Sequence, residues 1–168
     1  AVAVAKIFGI QYSVFGEVIK NFKGLEHRLE EVATVDGVAY FDDSFSTTPE
    51  TTIAAVKAFT EPLILIAGGS EKGSDFTELG KVISEVKNIK AMILFGLMAE
   101  RIKEKISNEE IKILRGAKNM TEIIEQVRSV AKSGDVKVLS PAAASFDMFK
   151  NYKERGNQFK EAVRKLGA

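Results

Sequence analysis

Cysteine is absent from these 168 residues, and histidine occurs once, at His27. Disulfides and thiolate metal sites are therefore excluded, and the absence fits a reducing compartment such as the cytosol. A single imidazole excludes a cluster of histidine ligands and argues against a Ser-His-Asp triad. Charge of one sign is also lacking: 24 basic residues against 23 acidic leave a net +1. That balance gives no bulk electrostatic case for a nucleic acid or membrane partner. No apolar run approaches the roughly 20 residues that a membrane helix requires. No charged segment followed by a cleavage site opens the chain, so secretion is not expected. Nor does the string G-x-x-x-x-G-K-[ST] of a Walker A loop occur anywhere.

What is present suits one soluble globular domain with room for a small extra piece. Hydrophobic residues make up 45% and charged residues 28%, and a chain of this length buries a core without covalent staples. The opening Ala1-Val2-Ala3-Val4-Ala5-Lys6-Ile7-Phe8-Gly9 has no initiator Met and reads as the tail of a helix stopped at Gly9. It is expected to come from a longer protein. A second short helix is expected over Ser13 to Phe22, followed by a linker around Lys23 to His27.

From there the pattern changes. Val32 to Val35, an Asp36-Gly37 turn and Val38 to Phe41 predict a β-hairpin, because Asp-Gly supplies the positive φ angles of a two-residue turn. Pro49 sits at the first position of a helix expected from Glu50 to Phe59. Apolar strands then follow at Leu63 to Ala67, Ala91 to Phe95, Ile111 to Leu114 and Val136 to Leu139. Helical segments near Phe76 to Val86, Met98 to Lys105, Met120 to Ala131 and Tyr152 to Leu166 separate or follow them. Continuous apolar strands alternating with amphipathic helices predict a Rossmann-like three-layer α/β/α domain with a mostly parallel sheet and an N-terminal β-hairpin.

Three strings follow strands in positions where such sheets bind ligands. Asp42-Asp43-Ser44-Phe45-Ser46-Thr47-Thr48-Pro49 offers two carboxylates for ribose hydroxyls or Mg²⁺, or else caps the loop and the next helix. Gly68-Gly69-Ser70-Glu71-Lys72-Gly73 exposes backbone N–H groups and a point positive charge suited to a carboxylate or phosphate. Leu139-Ser140-Pro141-Ala142-Ala143-Ala144-Ser145-Phe146-Asp147 combines small residues, which let a ligand approach the backbone, with a serine at a helix start; the bland alternative is an ordinary βα turn. Upstream, Arg28 of His27-Arg28-Leu29-Glu30 is either a surface cation or a guanidinium fork for phosphate oxygens. His27 is expected to be a structural hydrogen bonder rather than a base.

Together these strings resemble the C-terminal domain of the Mur ligase family, in the same order and over essentially the whole chain. Within that family, Ser-Pro-x-x-Ala-Ser-Phe-Asp resembles the members that add D-glutamate to UDP-N-acetylmuramoyl-L-alanine. The resemblance implies a cytoplasmic, monomeric, ATP-dependent ligase of peptidoglycan precursor synthesis. In that reaction ATP and Mg²⁺ activate the substrate carboxylate as an acyl phosphate, which the amine of D-glutamate attacks. It implies that residues 1–24 are the helical tail of a central, ATP-binding domain and that 25–168 form the amino-acid-binding domain. By the same resemblance, Arg28 reaches the ATP γ-phosphate, Asp43 the ribose, and Lys72 the α-carboxylate of the amino acid. Thr47 helps to hold that amino acid, while Ser145, Phe146 and Tyr152 take its distal carboxylate and wall its pocket. No metal ligand is implied in this chain, since Mg²⁺ would be held mainly by the central domain, and the chain alone is expected to be inactive.

One departure stands out. The family string reads Asp-Ser-Lys-Ala-Thr-Asn-Pro, and Phe45 replaces its Lys. The alternatives are a sister amide ligase, such as another Mur ligase or a folylpolyglutamate synthase-like enzyme, and a non-catalytic module that binds a small acid or nucleotide.

Overall fold

The structure, a computed structural model, describes residues 2–167. Two short helices, α1 (Val2–Ile7) and α2 (Tyr12–Asn21), precede the hairpin strands β1 (Glu30–Val35) and β2 (Val38–Asp42). The chain continues through α3 (Pro49–Lys57), β3 (Leu63–Gly68), α4 (Thr77–Glu85), β4 (Ile89–Phe95) and α5 (Ala99–Lys103). It closes with β5 (Lys112–Leu114), α6 (Met120–Val130), β6 (Val136–Leu139) and α7 (Tyr152–Arg164). Every element expected from the pattern is present. The differences are at the ends: α3 stops at Lys57 and α5 is shorter than its apolar pattern, as fraying ends allow.

The hairpin forms for the anticipated reason. Asp36 (φ 52°) and Gly37 (φ 76°) both occupy the left-handed region, the geometry whose twist matches a two-residue connection. The six strands lie in the order β1-β2-β6-β3-β4-β5, and only the β1–β2 pair is antiparallel.

All six residues of β3 are buried, and its alternation feeds two cores. Leu63, Leu65 and Ala67 pack with Val56, Leu79, Ile83 and Ile102 on one face. Ile64 and Ile66 pack with Ile123, Val127, Phe159 and Val163 on the other. This is the expected three-layer arrangement, each buried branched side chain contributing about 1.5–3 kcal/mol by leaving water.

One strand departs from its apolar reading. Lys137 in β6 is fully buried. Its Nζ lies 3.0 Å from Tyr40 Oη and 4.6 Å from the Tyr40 ring centroid. Burial lowers its pKa to about 8.

Strand order also brings the candidate loops together. The chain steps from β3 outward through β4 to β5, then returns to insert β6 between β3 and β2. The connections leaving β2, β6 and β3 therefore start side by side at the sheet's C-terminal edge, where sheets of this kind bind their ligands. By contrast, α1 and α2 bury none of their residues. Val4, Ile7, Phe8, Val18, Ile19 and Phe22 stay exposed.

Candidate active site

The three loops singled out in the sequence leave β2, β6 and β3, which are adjacent strands. Main-chain bonds tie them together. Ala142 N donates to Ser46 O at 3.0 Å, Gly68 N to Pro141 O at 2.8 Å and Ser70 N to Ala144 O at 2.8 Å. Ser70 Oγ also accepts from Phe146 N at 3.2 Å. Ala142 holds φ at 60°, a left-handed conformation that a non-glycine residue keeps only where its surroundings fix it. Gly69 (φ 141°) lies so close to Ala144 O that a Cβ would collide with it. The loops can meet only because that position is glycine.

Arg155 fastens the assembly from behind. It is fully buried in α7. Its Nε donates to Ser44 Oγ at 3.0 Å and Nη2 to Ser44 O at 2.9 Å, while Nη1 donates to Ala143 O at 3.2 Å and Ala144 O at 3.3 Å. Burial lowers its pKa to about 10, so it remains a cation at neutral pH. Sequence reasoning missed it; the available signal was a cation on the face of the last helix that also carries Gly156, Phe159 and Val163.

Asp43 is turned inward. Its Oδ2 accepts from Ser140 Oγ at 2.7 Å and Oδ1 from Leu29 N at 3.2 Å. Burial raises its pKa, opposed by these donors and by Arg28. Any ribose hydroxyl would have to share oxygens that are already engaged. Asp42 is buried with Oδ2 2.7 Å from His27 Nδ1, and its Oδ1 accepts from Ser44 N at 2.9 Å. Burial raises its pKa too, and His27 opposes this. The capping reading therefore describes Asp42, and His27 is placed as a structural partner. Gly156 gives that pair its space, since a Cβ there would strike both His27 and Asp42.

Lys72 is exposed on its loop, and its ammonium has no partner among the described residues; neighbouring Glu71 is paired with Arg101 instead. Ser145 is 2% exposed, and its Oγ makes no hydrogen bond to the described residues. It does not start a helix as expected: α7 begins at Tyr152, capped by Asn151, whose side chain accepts from Glu154 N. Phe146 is 74% exposed, an apolar ring standing free beside the Ser70 loop. Thr47 is half-buried on the β2 loop.

Tyr152 belongs to a second cluster. Its ring meets Phe45 edge-on, centroids 4.9 Å apart, and His27 at 5.9 Å. Arg28 lies over the opposite partner, its guanidinium carbon 4.6 Å from the Phe45 centroid. These residues line a concavity of about 290 Å³.

Two other features are not part of this arrangement. A concavity of about 480 Å³ lies between α6 and the later turns of α7, away from the loops. Glu26, His27 and Glu30 come close enough to share a cation, and the cation there is the Lys160 ammonium, 2.9 Å from Glu26 Oε1 and 3.1 Å from Glu30 Oε2. Their donors do not fit a further metal ion while Lys160 stays.

A family model described as Mur ligase, glutamate ligase domain, matches residues 27–143. The chain belongs to the Mur ligase family and carries this C-terminal domain. Within the family it is 43% identical over 166 residues, 99% of its length, to a UDP-N-acetylmuramoylalanine–D-glutamate ligase of Pelotomaculum thermopropionicum. It is 39% identical, again over 99% of its length, to the ligase of that name from Clostridioides difficile. The chain spans 36% of the length of each of these two relatives. Among solved structures, MurF from Acinetobacter baumannii superposes with a TM-score of 0.67 at 14% identity, over 95% of this chain and 35% of that one. MurF from Thermotoga maritima in complex with ADP gives 0.65 at 18%, over 98% and 37%. At such identities these structures speak to the fold.

Proposed function

We propose that this chain is the C-terminal part of a cytoplasmic ATP-dependent ligase that joins D-glutamate to UDP-N-acetylmuramoyl-L-alanine through an acyl phosphate, in peptidoglycan precursor synthesis. The observation that carries the reading is the convergence of three loops at the strand-order reversal, with Lys72 unpaired on one of them. The similarity to D-glutamate ligases over 99% of the chain supports it.

In this reading Lys72 receives the α-carboxylate of the incoming amino acid. Because neighbouring Glu71 is paired with Arg101, no ion pair of the Lys72 ammonium has to break before it binds an anion. Thr47 and Ser145 offer hydroxyls from the loops after β2 and β6, and the exposed ring of Phe146 covers the amino acid stem. Tyr152 walls the site from the Phe45 side. The backbone N–H groups expected to face the anion are spent within the protein, Gly69 N on Phe95 O and Lys72 N and Gly73 N on Glu71 Oε1, which leaves the anion to the Lys72 ammonium. These side chains position the amine and neutralise charge; most of the rate advantage of such chemistry comes from that.

ATP, when bound with Mg²⁺, supplies the phosphoryl group that activates the substrate carboxylate. On this chain Arg28 fits the nucleotide, as an exposed guanidinium with free donors, and Asp43 holds the loop from which a ribose contact would be made. The Mg²⁺ ligands and the phosphate-binding loop are assigned to a central domain outside this chain. Residues 1–24 are read as the helical tail of that domain, consistent with α1 and α2 burying nothing.

The test is turnover. A longer protein that contains this chain should release ADP and form product from ATP, Mg²⁺, UDP-N-acetylmuramoyl-L-alanine and D-glutamate, and L-glutamate should not substitute. This chain alone should form none. Equal turnover with another amino acid in place of D-glutamate would assign it to a sister ligase.

A further inference from the structure

We propose that Phe45 is a positioning residue: its ring seats the Arg28 guanidinium, unpaired and pre-set, to receive an oxyanion of a polyphosphate. The choice of polyphosphate rests on the ligase reading above; the seating of Arg28 does not.

The main chain on either side of Arg28 is pinned. His27 (φ 62°) and Leu29 (φ 44°) both sit in the left-handed region. His27 N donates to Glu30 Oε2 at 2.9 Å, Leu29 N to Asp43 Oδ1 at 3.2 Å, and Phe45 N to His27 O at 3.0 Å. What remains free at Arg28 is its side chain, and a long flexible cation loses rotamer entropy whenever it binds.

Phe45 removes part of that freedom in advance. The guanidinium carbon lies 4.6 Å from its ring centroid, within the range of a cation–π contact. The ring is itself held edge-on by Tyr152 at 4.9 Å and 85°. This gives a function to a phenylalanine that is 41% exposed.

The guanidinium is left open. The nearby carboxylates are engaged elsewhere: Glu26 and Glu30 with Lys160, Asp42 with His27, and Asp43 with Ser140 and Leu29 N. A cation–π contact uses the flat face of the guanidinium and leaves its N–H edge to donate. A carboxylate partner would occupy that edge. Lys153 and Glu26 line the same concavity, and the Glu26 charge is taken up by Lys160.

The experiment uses inorganic triphosphate as probe on this chain, with variants Phe45→Ala, Phe45→Leu, Phe45→Trp and Arg28→Ala. In the ligand-free protein the Arg28 Nε–Hε resonance should be shifted upfield by the ring current, return to its random-coil position in Phe45→Ala and Phe45→Leu, and stay shifted in Phe45→Trp. Triphosphate should bind the unaltered chain and fail to bind Arg28→Ala. It should bind about two- to five-fold more weakly to Phe45→Ala and Phe45→Leu, with Phe45→Trp restoring the affinity. Leucine keeps the apolar bulk without the π face, so it separates seating from packing. An unshifted Arg28 resonance, no binding to the unaltered chain, or an unchanged affinity in Phe45→Leu would each overturn the proposal. Failure of the ligase reading would show separately, in a D-glutamate titration of the unaltered chain.

Discussion

Arg155 Nη2 donates to the carbonyl oxygen of Ser44 at 2.9 Å, although 111 residues separate the two in sequence. Through this contact and its bonds to Ala143 and Ala144, one buried guanidinium joins the loop after β2 to the loop after β6. Arg155→Met keeps the bulk of the stem but leaves acceptors unpaired. Each buried orphan costs about 1–3 kcal/mol, and Ala144 O keeps its bond from Ser70. The expected loss is about 2–4 kcal/mol in urea unfolding, with amide exchange rising first in residues 140–146. Arg155→Lys, which supplies fewer donors in one plane, should recover only part of the loss.

Gly69 holds the next contact between loops. In Gly69→Ala a methyl would meet Ala144 O while the backbone stays at φ 141°. The fold should lose about 1–3 kcal/mol, and the Ser70–Ala144 and Ser70–Phe146 bonds should open. The check is thermal unfolding combined with the amide shifts of Ser70 and Phe146.

Lys72 predicts the opposite balance of effects. The side chain is exposed and unpaired, so Lys72→Ala should change stability by no more than about 0.5 kcal/mol. Losing a charge-assisted bond of about 1.5–3 kcal/mol should weaken D-glutamate binding by about ten- to a hundred-fold. Calorimetry of unfolding and a ligand titration separate the two.

Lys137 makes a pH prediction. Its pKa falls to about 8 in the folded state, against about 10.4 in an unfolded chain. Between those values the unfolded state binds more protons, so stability should rise with pH from about 8 upward. Burial raises the pKa of its partner Tyr40, which lowers stability only above about pH 10. Arg155, whose pKa falls to about 10, adds a rise of the same sign only near that pH, so the window from about pH 8 to 9 isolates Lys137. Urea midpoints should climb across it in the unaltered chain and stay flat in Lys137→Met.

The sheet, the hairpin and the helices were legible because they rest on local signals. Asp36-Gly37 forces its own turn, Pro49 sets the start of α3, and three of the four apolar runs form the centre of the sheet, the fourth its edge strand β5. The candidate site was legible as three strings, since each follows a strand. What the pattern did not disclose is relational. Nothing local states that β6 lies between β2 and β3, or that Arg155 of α7 serves loops on two strands. Lys137 was read as part of an apolar strand because one cation in four residues does not break the pattern; its burial depends on Tyr40, 97 residues away. The inward turn of Asp43 was equally hidden, because its partner Ser140 belongs to a different loop. The resemblance groups Tyr152 with Ser145 and Phe146, and no local pattern states that its ring also packs against Phe45 and His27.

The central claim is that the loops after β2, β3 and β6 form one amino-acid half-site. Its most direct test is a titration of D-glutamate into the isotope-labelled chain, with L-glutamate and D-alanine as controls, followed by amide shifts. Saturable shifts at Thr47, Lys72, Ser145 and Phe146 for D-glutamate alone are the predicted result. Unmoved resonances at these four positions, or the same shifts from all three compounds, would contradict it.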